Sequence, residues 1–278
     1  MHQNHVIVGV MGWPVSHSLS PLIHNHWIKK YGLNGAYNLF PVHPDNLETA
    51  IRGLSALKLS GSNVTIPHKV ATMSYMDWIH PDALKIGAIN TIVVQPDGAL
   101  HGMNTDGYGY LQSLKSAAPK WAASQGPVVI VGAGGAARAI LVSLLEEGAQ
   151  QIRLVNRTFE KAQGLADEFG NQVQALAWEK RHEALAGASL LINTTSQGMK
   201  NHAPLELEVD DLPSDAVVSD IVYNPLETPL LKSARARGNL CVDGLGMLIH
   251  QARPAFNAWF GVMPDVCQDL RNKLVAAL

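Results

Sequence analysis

Two patterns of apolar positions alternate along this chain. Runs rich in β-branched residues predict buried strands, and segments in which apolar residues recur every three or four positions predict helices. In the N-terminal part the predicted strands are 5–12, 36–42 and 61–66, and the predicted helices are 21–32 and 46–58. Strands that alternate with helices in this way are typical of an α/β fold.

The alternation is interrupted once and then resumes. Residues 88–104 carry two β-rich runs around Pro-Asp-Gly at 96–98, which predicts a hairpin. A helix is expected from about Gly107 to Ser116, and a second α/β series starts at Val128. Its later predicted strands are 151–158, 173–176, 189–196, 216–223 and 239–244, and its later helices are 159–170 and 228–238.

The C-terminal segment suggests how the chain divides into domains. After Met247 the chain is helical and apolar, and it follows a complete series of strands. We therefore expect this segment to pack back on the N-terminal part. The predicted domains are residues 1–105 completed by residues 247–278, and residues 106–246.

The most specific local motif joins a strand to a helix in mid-chain. The run from Val128 to Val131 leads directly into a glycine turn, defined here as residues 132–136, and then into an apolar helix. Glycines allow a tight turn and let the backbone approach a pyrophosphate closely, and Ala137 is small enough for helix and strand to pack together. The motif predicts a dinucleotide site, with a turn used only for packing as the alternative. The residues expected to face the cofactor are Gly132, Ala133, Gly134, Gly135 and Ala136.

The end of the next predicted strand distinguishes NAD from NADP. NAD sites usually carry an acidic residue there for the ribose hydroxyl, whereas this chain has Asn156, Arg157 and Thr158. A guanidinium is planar and permanently charged, so Arg157 can pair with a 2′-phosphate. NADP is therefore the predicted cofactor, and a solvated Arg157 is the alternative.

Later strand ends add weaker candidates. They are Thr195, Ser196, Gly244 and Met247 for the cofactor and Tyr223 for the substrate. The hydroxyls of Thr195 and Ser196 lie beyond a predicted buried strand, where α/β folds bind ligands, although they can equally cap a turn. Gly244 and Gly246 are expected to give the chain room to pass close to a flat ring.

Composition and charge narrow the range of partners. The chain has 21 Lys and Arg against 23 Asp and Glu, a net charge of -2, which does not favour nucleic acid or an anionic membrane. We find no segment with the length and apolarity of a membrane span, and the N-terminus lacks the pattern of a signal peptide. Two cysteines without CxxC spacing favour a cytoplasmic location, and no metal site is expected. The expected partner is a small-molecule substrate, for a monomer or a homodimer.

Polar residues that suit such a substrate follow the N-terminal strands. Ser20 is predicted at the N-cap of a helix and Pro21 at its first position. Capping does not explain Ser18, whose hydroxyl beside a helix N-terminus suits a carboxylate, although ordinary turn serines are the alternative. Further along, the strand period of two places Asn63 and Thr65 on one face, so both can reach one cleft.

A candidate proton donor comes next in the chain. Pro67 is predicted to start a helix, which puts Lys69 in the first turn, where the helix dipole disfavours a cation and so favours loss of the proton. A surface lysine is the alternative. Asn90 adds a polar side chain, and Asp106 either caps the helix that follows it or holds the lysine ammonium beside a substrate hydroxyl.

Taken in order, the motifs resemble those of the shikimate dehydrogenase family. The matching segments are SHSLSPLIHN, GSNVTIPHK, GAINT, GMNTDGYG, GAGGAARA, NRT, DIVYNP and DGLGMLIHQA, which span residues 12 to about 252. The resemblance implies an α/β substrate domain, a doubly wound Rossmann domain for NADP, and a cleft between them. It also implies NADPH-dependent reduction of 3-dehydroshikimate to shikimate, a step of the chorismate pathway to the aromatic amino acids.

The resemblance also implies roles for individual residues. Ser18 and Ser20 would bind the substrate carboxylate, and Lys69 would transfer the proton within a network that includes Asp106. The residues expected to hold substrate hydroxyls are Asn63, Thr65, Asn90, Asp106 and Gln251. Two alternatives stay open: a quinate/shikimate dehydrogenase that uses NAD or NADP, and a non-catalytic protein that senses NADP.

Overall fold

The computed structural model describes residues 5–278, so the first four residues of the predicted N-terminal domain lie outside the described residues. The chain forms two compact units. The first unit ends at Thr105 and resumes from Gln251 to Ala277, and the second runs from Asp106 to His250. The return to the first unit falls at Gln251 rather than at the predicted Met247, because one helix runs through this stretch without a break.

The first unit is built on a six-stranded sheet within the described residues. Its strands are β1 (Val6–Gly12), β2 (Gly35–Pro41), β3 (Gly61–Val64), β4 (Trp78–Ile79), β5 (Thr91–Val94) and β6 (Leu100–Met103). Its helices in this part of the chain are α1 (Ser20–Lys30), α2 (Leu47–Ala56) and α3 (Pro81–Ile86). Neither β4 nor α3 was predicted, since both are too short to show a clear period.

The sheet of the first unit is mixed rather than wholly parallel. Its strand order is β2-β1-β3-β5-β6-β4, in which β1 pairs in parallel with β2 and β3. In contrast, β5 is antiparallel to both β3 and β6. The antiparallel part contains the predicted hairpin, and Gly98 takes a φ of 91° in its turn. A short hairpin connection can join only antiparallel strands, which explains the change of direction.

The predicted helix at Pro67 is absent. Residues 66–70 form turns and a bend, and only a short 3-10 helix, Ala71–Tyr75, follows. The backbone amide of His68 donates to the Thr65 carbonyl at 2.9 Å, and the Lys69 carbonyl accepts from the Ile89 amide at 2.8 Å instead of from the next helical turn. The argument that a helix dipole acts on Lys69 was therefore wrong.

The start of α1 also differs from the prediction. Ser20 is its first helical residue, and Leu19 at the N-cap makes no side-chain capping bond. The Ser18 hydroxyl instead accepts a hydrogen bond from the backbone amide of Ser20 at 3.3 Å. Placing Ser20 at the N-cap was wrong by one position, and the hydroxyl that serves the helix start is that of Ser18.

The second unit carries a parallel six-stranded sheet. Its strands are β7 (Val128–Val131), β8 (Ile152–Val155), β9 (Val173–Leu176), β10 (Leu190–Asn193), β11 (Val217–Asp220) and β12 (Leu240–Val242). Its helices are α4 (Asp106–Ala117), α5 (Gly135–Glu146), α6 (Phe159–Phe169) and α7 (Pro229–Ala236), together with the first turns of α8 (Gly244–Phe260). Helices separate β7 from β8, β8 from β9 and β11 from β12, as predicted.

Strand β7 lies in the middle of this sheet and is buried on both faces. Val128 and Ile130 belong to one apolar cluster, and Val129 and Val131 belong to another. Burial on both faces explains why the strand is a continuous apolar run rather than an alternating one.

The strand order creates a reversal beside β7. From β7 the chain moves outward through β8 to β9, then returns to β10 on the other side of β7 and continues to β12. This is the doubly wound order, in which ligands bind beyond the carboxyl ends of the strands where the order reverses. The glycine turn follows β7 at that point.

The C-terminal segment belongs to the first unit from Gln251 onward. It includes most of α8 and the last helix, α9 (Gln268–Val275). The indole of Trp259 donates to the Ile92 carbonyl at 3.0 Å, and the indole of Trp27 donates to the Asp265 carbonyl at 3.2 Å. These two bonds tie the segment to the sheet and to α1.

Within residues 5–278, we find no helix with the length and apolarity that a membrane span requires. The same residues hold no group of three or more His, Cys, Asp or Glu side chains arranged to bind a metal ion.

Candidate active site

The predicted substrate residues of the first unit are joined by a chain of hydrogen bonds, here called the polar network. It begins at Ser20, whose hydroxyl hydrogen-bonds the phenol of Tyr37. The Tyr37 hydroxyl donates in turn to Oδ1 of Asn63 at 2.7 Å. Burial raises the pKa of Tyr37 well above its usual value, which the bond from Ser20 partly offsets. The phenol is therefore held as a neutral donor.

The amide of Asn63 has a single orientation in this network. Its Nδ2 donates to the Asn90 carbonyl at 3.1 Å and to the Thr91 hydroxyl at 2.9 Å. Both amide hydrogens are thus used inside the protein, and Oδ1, which accepts from Tyr37, keeps one lone pair for a ligand. Asn63 is consequently available to a substrate as an acceptor only.

The network continues to the C-terminal segment through Asn90 and Thr105. The Oδ1 of Asn90 accepts from the backbone amide of Thr105 at 3.0 Å and from the Thr91 hydroxyl at 2.9 Å. The Thr105 hydroxyl donates to the backbone carbonyl of Gln251 at 2.8 Å. Asn90 and Thr105 are buried. The structure therefore brings Ser20, Asn63, Asn90 and Gln251 into one connected set.

Lys69 and Thr65 lie on a turn that is fixed at several points. The Thr65 amide donates to the Met11 carbonyl at 2.9 Å, which ties the start of the turn to β1. The ring of His68 is buried, and its Nε2 bonds to the Val42 carbonyl at 2.8 Å. Lys69 follows directly and is half-buried. Its position comes from these anchors rather than from a helix.

Asp106 opens the second unit as the first residue of α4 and is buried. It directly follows Thr105, whose backbone amide and hydroxyl are both engaged in the polar network. The strand end that leads into Asp106 is therefore held by side chains of the first unit.

The glycine turn has the geometry that a pyrophosphate needs. Gly132 takes a φ of 113°, and a Cβ there would lie 2.5 Å from the Thr194 hydroxyl oxygen. A Cβ built at Gly134 or Gly135 would meet no atom within 4 Å, so the space before α5 is open. The first backbone amides of a helix have no partner inside it and attract anions. The turn therefore fits a dinucleotide.

The loop after β8 carries the three residues that are predicted to face the adenosine end of the cofactor. The Asn156 side chain donates to the Thr158 carbonyl at 2.7 Å and closes the loop. Arg157, between them, is exposed. Because Arg157 is not buried against the protein, its guanidinium can reach a phosphate.

In residues 194–197, here called the β10 loop, both threonine hydroxyls are bonded to the protein itself, and that of Thr194 donates to the Val131 carbonyl at 2.6 Å. The Thr195 hydroxyl donates to Oδ1 of Asn193 at 2.8 Å and accepts from the Gln197 amide at 3.1 Å. The Thr195 backbone amide donates to the same Oδ1 at 3.0 Å. Ser196 is exposed. The capping role considered for Thr195 is thus present in the structure.

Tyr223 and Gly244 occupy neighbouring segments of the second unit. Burial raises the pKa of Tyr223, so its phenol is neutral near pH 7. A Cβ at Gly244 would lie 2.1 Å from the Ile221 carbonyl oxygen, and one at Gly246 would lie 2.2 Å from the Ser113 hydroxyl. The direction in which a side chain would point is therefore filled by the protein itself at both glycines, and the approach of a flat ring to their backbone stays a prediction.

Met247 lies one turn into α8. Its side chain is half-buried and packs against the apolar cluster of the second unit.

Comparison with known families matches three parts of the chain. Residues 10–92 match the shikimate dehydrogenase substrate binding domain, residues 115–205 match the shikimate / quinate 5-dehydrogenase model, and residues 244–266 match the shikimate 5′-dehydrogenase C-terminal domain. The shikimate dehydrogenase (NADP(+)) of Paramagnetospirillum magneticum is 49% identical over 265 residues, which cover 95% of this chain and 96% of that protein. The chain belongs to the shikimate dehydrogenase family.

Two solved structures show how this family varies. The shikimate 5-dehydrogenase of Thermus thermophilus, in complex with NADP(H) and shikimate, has a TM-score of 0.87 and 36% identity and covers 98% of this chain and 100% of its own. The quinate dehydrogenase of Corynebacterium glutamicum, in complex with NAD, has a TM-score of 0.91 and 31% identity with the same coverage. Similarity of fold alone therefore does not separate the two substrates or the two cofactors.

Within this family fold, sequence reasoning missed several residues that organise the site. Tyr37 lies on β2 in an apolar segment, and nothing local to it indicates a partner on β3. His68 was given no role, although it anchors the turn that carries Lys69. Thr91 and Thr105 directly neighbour the predicted residues Asn90 and Asp106. That position in the motifs was the only sign in the sequence of their role in the site.

Proposed function

We propose that this chain catalyses the reversible NADPH-dependent reduction of 3-dehydroshikimate to shikimate in the chorismate pathway to the aromatic amino acids. The observation that carries the proposal is the polar network, which holds buried amides and hydroxyls in fixed orientations beside the Lys69 turn. A site of this kind selects a substrate with several hydroxyl groups, because a ligand without them would leave the polar groups of the site unpaired. Family membership of the whole chain supports the same reaction.

Substrate binding is assigned to side chains of the first unit and to Tyr223. Ser18 and Ser20 bind the carboxylate, since both lie at the N-terminal end of α1, where negative charge is favoured. The remaining groups hold the ring hydroxyls. They are Asn63, which is available as an acceptor, together with Thr65, Asn90, Gln251, Asp106 and Tyr223.

Lys69 and Asp106 are assigned to proton transfer at the carbonyl that is reduced. Bound NADPH supplies the hydride. Lys69 gives a proton to the oxygen on which negative charge develops, and the Asp106 carboxylate accepts a hydrogen bond from the substrate hydroxyl. In the reverse direction Lys69 accepts the proton from the hydroxyl of shikimate.

The second unit is assigned the cofactor. The glycine turn, Gly132, Ala133, Gly134, Gly135 and Ala136, holds the pyrophosphate with backbone amides at the start of α5. Arg157, supported by Asn156 and Thr158, pairs with the 2′-phosphate and thereby selects NADP. The remaining contacts are assigned to Thr195, Ser196, Gly244 and Met247.

Steady-state rates with two substrates and two cofactors test this function. Shikimate and quinate are each supplied with NADP and with NAD, and initial rates are measured over a range of concentrations. We expect the highest kcat/KM for shikimate with NADP. A higher value for quinate with NAD would favour the activity of the C. glutamicum neighbour. Absence of reduction with every pair would support the non-catalytic alternative.

We also propose a cytoplasmic location and a monomeric or homodimeric state. The two cysteines, Cys241 and Cys267, are free in the structure, which fits a reducing compartment. Light scattering on the purified protein measures the mass in solution and decides between one copy and two.

A further inference from the structure

A buried carboxylate lies at the end of β11, outside the residues assigned so far. Asp220 is 1% exposed, so it cannot touch a ligand. Its Oδ1 accepts from Nδ2 of Asn193 at 3.0 Å and from the Val222 amide at 3.0 Å, and its Oδ2 accepts from the Thr228 hydroxyl at 2.7 Å. Burying a carboxylate costs free energy that hydrogen bonds must offset, and the three donors to Asp220 come from three different segments of the chain.

The Asn193 amide donates through Nδ2 both to Asp220 and to the Gln197 carbonyl, the latter at 3.1 Å, and these two acceptors determine which way it faces. An ionised carboxylate can only accept, so it requires Nδ2 of Asn193 on its side and leaves Oδ1 on the other. That Oδ1 accepts from both the amide and the hydroxyl of Thr195. The orientation of this one side chain, which Asp220 and the Gln197 carbonyl fix together, therefore shapes the β10 loop.

Asp220 also holds the segment on its own strand. Its bond to the Val222 amide closes a turn directly before Tyr223. A second hydrogen bond links the chain after β11 to the chain after the β10 loop, since the Lys200 amide donates to the Asn224 carbonyl at 2.8 Å. Asp220 therefore hydrogen-bonds to both segments that follow the carboxyl ends of β10 and β11, through Asn193 and Val222.

We propose that Asp220 is a positioning residue for NADP: it sets the Asn193 amide and, through it, the β10 loop that contacts the cofactor. The inference rests on the proposed function, which gives the β10 loop and the neighbouring Tyr223 segment to the ligands. A residue of this kind acts through geometry, so its loss weakens cofactor binding more than it weakens substrate binding in the first unit.

The test compares three variants. Asp220→Ala removes all three acceptor bonds. Asp220→Asn keeps an oxygen for Asn193 and Val222 and offers its amide to the Thr228 hydroxyl, so it is the conservative rescue. Thr228→Val removes one donor and the N-terminal cap of α7 without altering Oδ1, so it controls for lost stability. The Kd for NADPH is measured by fluorescence titration, KM values by initial rates, and stability by thermal unfolding.

For Asp220→Ala we expect the Kd for NADPH and the KM for NADP to rise about five- to tenfold, as the loss of one or two hydrogen bonds predicts. The KM for shikimate should rise less. Asp220→Asn and Thr228→Val should stay within about threefold of wild type in Kd, although Thr228→Val lowers the unfolding temperature. Unchanged NADPH binding in Asp220→Ala, or an equal loss in Thr228→Val, would overturn the proposal.

A second route covers failure of Asp220→Ala to fold. Asn193→Asp keeps the acceptor for Thr195 but loses both Nδ2 bonds, the one to Asp220 and the one to the Gln197 carbonyl, and we expect at least the same rise in the Kd for NADPH. If neither variant folds, Asp220 is a folding determinant and the positioning role is rejected. Wild-type reduction of NADP by shikimate is measured first. Its absence would refute the proposed function. If the wild type is active and the variants bind NADPH as the wild type does, only this inference is refuted.

Discussion

The two units hold their candidate ligand-binding groups in opposite ways. In the first unit Asn63, Asn90 and Thr105 are buried and bonded to one another through side chains. In the second unit the glycine turn offers backbone amides before an open space, and Arg157 stands exposed on a loop. One unit relies on oriented side chains, and the other relies on backbone shape and one exposed cation.

The difference follows from what each ligand requires. A small acid with several hydroxyls is recognised by a few polar groups, each of which must be oriented before binding. A dinucleotide is long and charged, so helix-start amides and a guanidinium contribute much of the selectivity. We therefore expect substitutions in the first unit to affect shikimate and catalysis, and substitutions in the second unit to affect NADP.

The largest effect is expected for Lys69→Ala. Loss of a positioned acid typically reduces the rate about 100- to 10,000-fold, so kcat should fall by that factor while the Kd for NADPH stays within about twofold. Single-turnover rates and a fluorescence titration measure the two quantities. Lys29→Ala, at an exposed position on α1, is the matched control and should leave both unchanged. Near-normal turnover of Lys69→Ala would exclude Lys69 as the acid.

A large effect confined to the cofactor is expected for Gly132→Ala. The new Cβ would lie 2.5 Å from the Thr194 hydroxyl at a φ of 113°, and strain of this kind costs about 1–3 kcal/mol. We expect NADPH binding to weaken about tenfold or more, with titration as the measurement. Gly164→Ala in α6 meets no atom within 4 Å and should bind NADPH normally. Equal binding by both variants would contradict the assigned role of the glycine turn.

Arg157→Ala tests the choice between NADP and NAD. Loss of a charge-assisted hydrogen bond costs about 1.5–3 kcal/mol, and the exposure of Arg157 favours the lower end, so the KM for NADP should rise about tenfold. The KM for NAD should hardly change. Lys232→Ala, exposed on α7, serves as the control for lost positive charge. A parallel rise in both KM values would mean that Arg157 does not select the phosphate.

The smallest effect is expected on the pH dependence of stability, through His24, which packs against Tyr37 of the polar network. His24 is fully buried, its ring stacks on Tyr37 with centroids 4.1 Å apart, and its nitrogens have no hydrogen-bond partner among the described residues. Burial lowers its pKa from 6.5 to about 3. Below pH 6.5 the unfolded chain therefore binds a proton that folded His24 does not, and stability falls as the pH drops from 6.5 toward 3.

His24→Phe should remove this part of the acid sensitivity, about 1 kcal/mol for each pH unit in that range. Urea unfolding followed by tryptophan fluorescence at pH 7, 6 and 5 measures the slope for wild type and variant. The stacked ring is retained and no hydrogen bond is lost, so turnover at pH 7 should change little. Parallel slopes for the two proteins would show that His24 is not the group responsible.

The fold could be predicted from the sequence wherever a local period was long enough. The β7 run, the glycine turn and the α5 helix follow from residues within about 20 positions, and so do the hairpin at 96–98 and the α6 helix. The short β4 and α3 carried too few residues to show a period. The helix expected at Pro67 failed because the Lys69 carbonyl bonds to Ile89, a residue 20 positions away.

Long-range contacts explain the other differences. The partners of Asn63 lie on β2 and β5, so its role as an acceptor follows only from bonds to Tyr37, Asn90 and Thr91. No local pattern indicates that His68 reaches Val42, or that Asp220 orients Asn193. Gly244 carries a signal in the sequence, but the Ile221 carbonyl that leaves no room for a side chain there is visible only in the structure.

The sequence by itself determined the order of the longer strands and helices, the glycine turn, the cation at position 157 and the set of polar residues that the family motifs contain. These depend on backbone propensity, hydrophobic period and residue chemistry, which act over a few positions. Only the tertiary structure decided which lone pairs and hydrogens those residues keep for a ligand. Each buried polar group must find a partner, and in this fold the partner is usually distant in the chain.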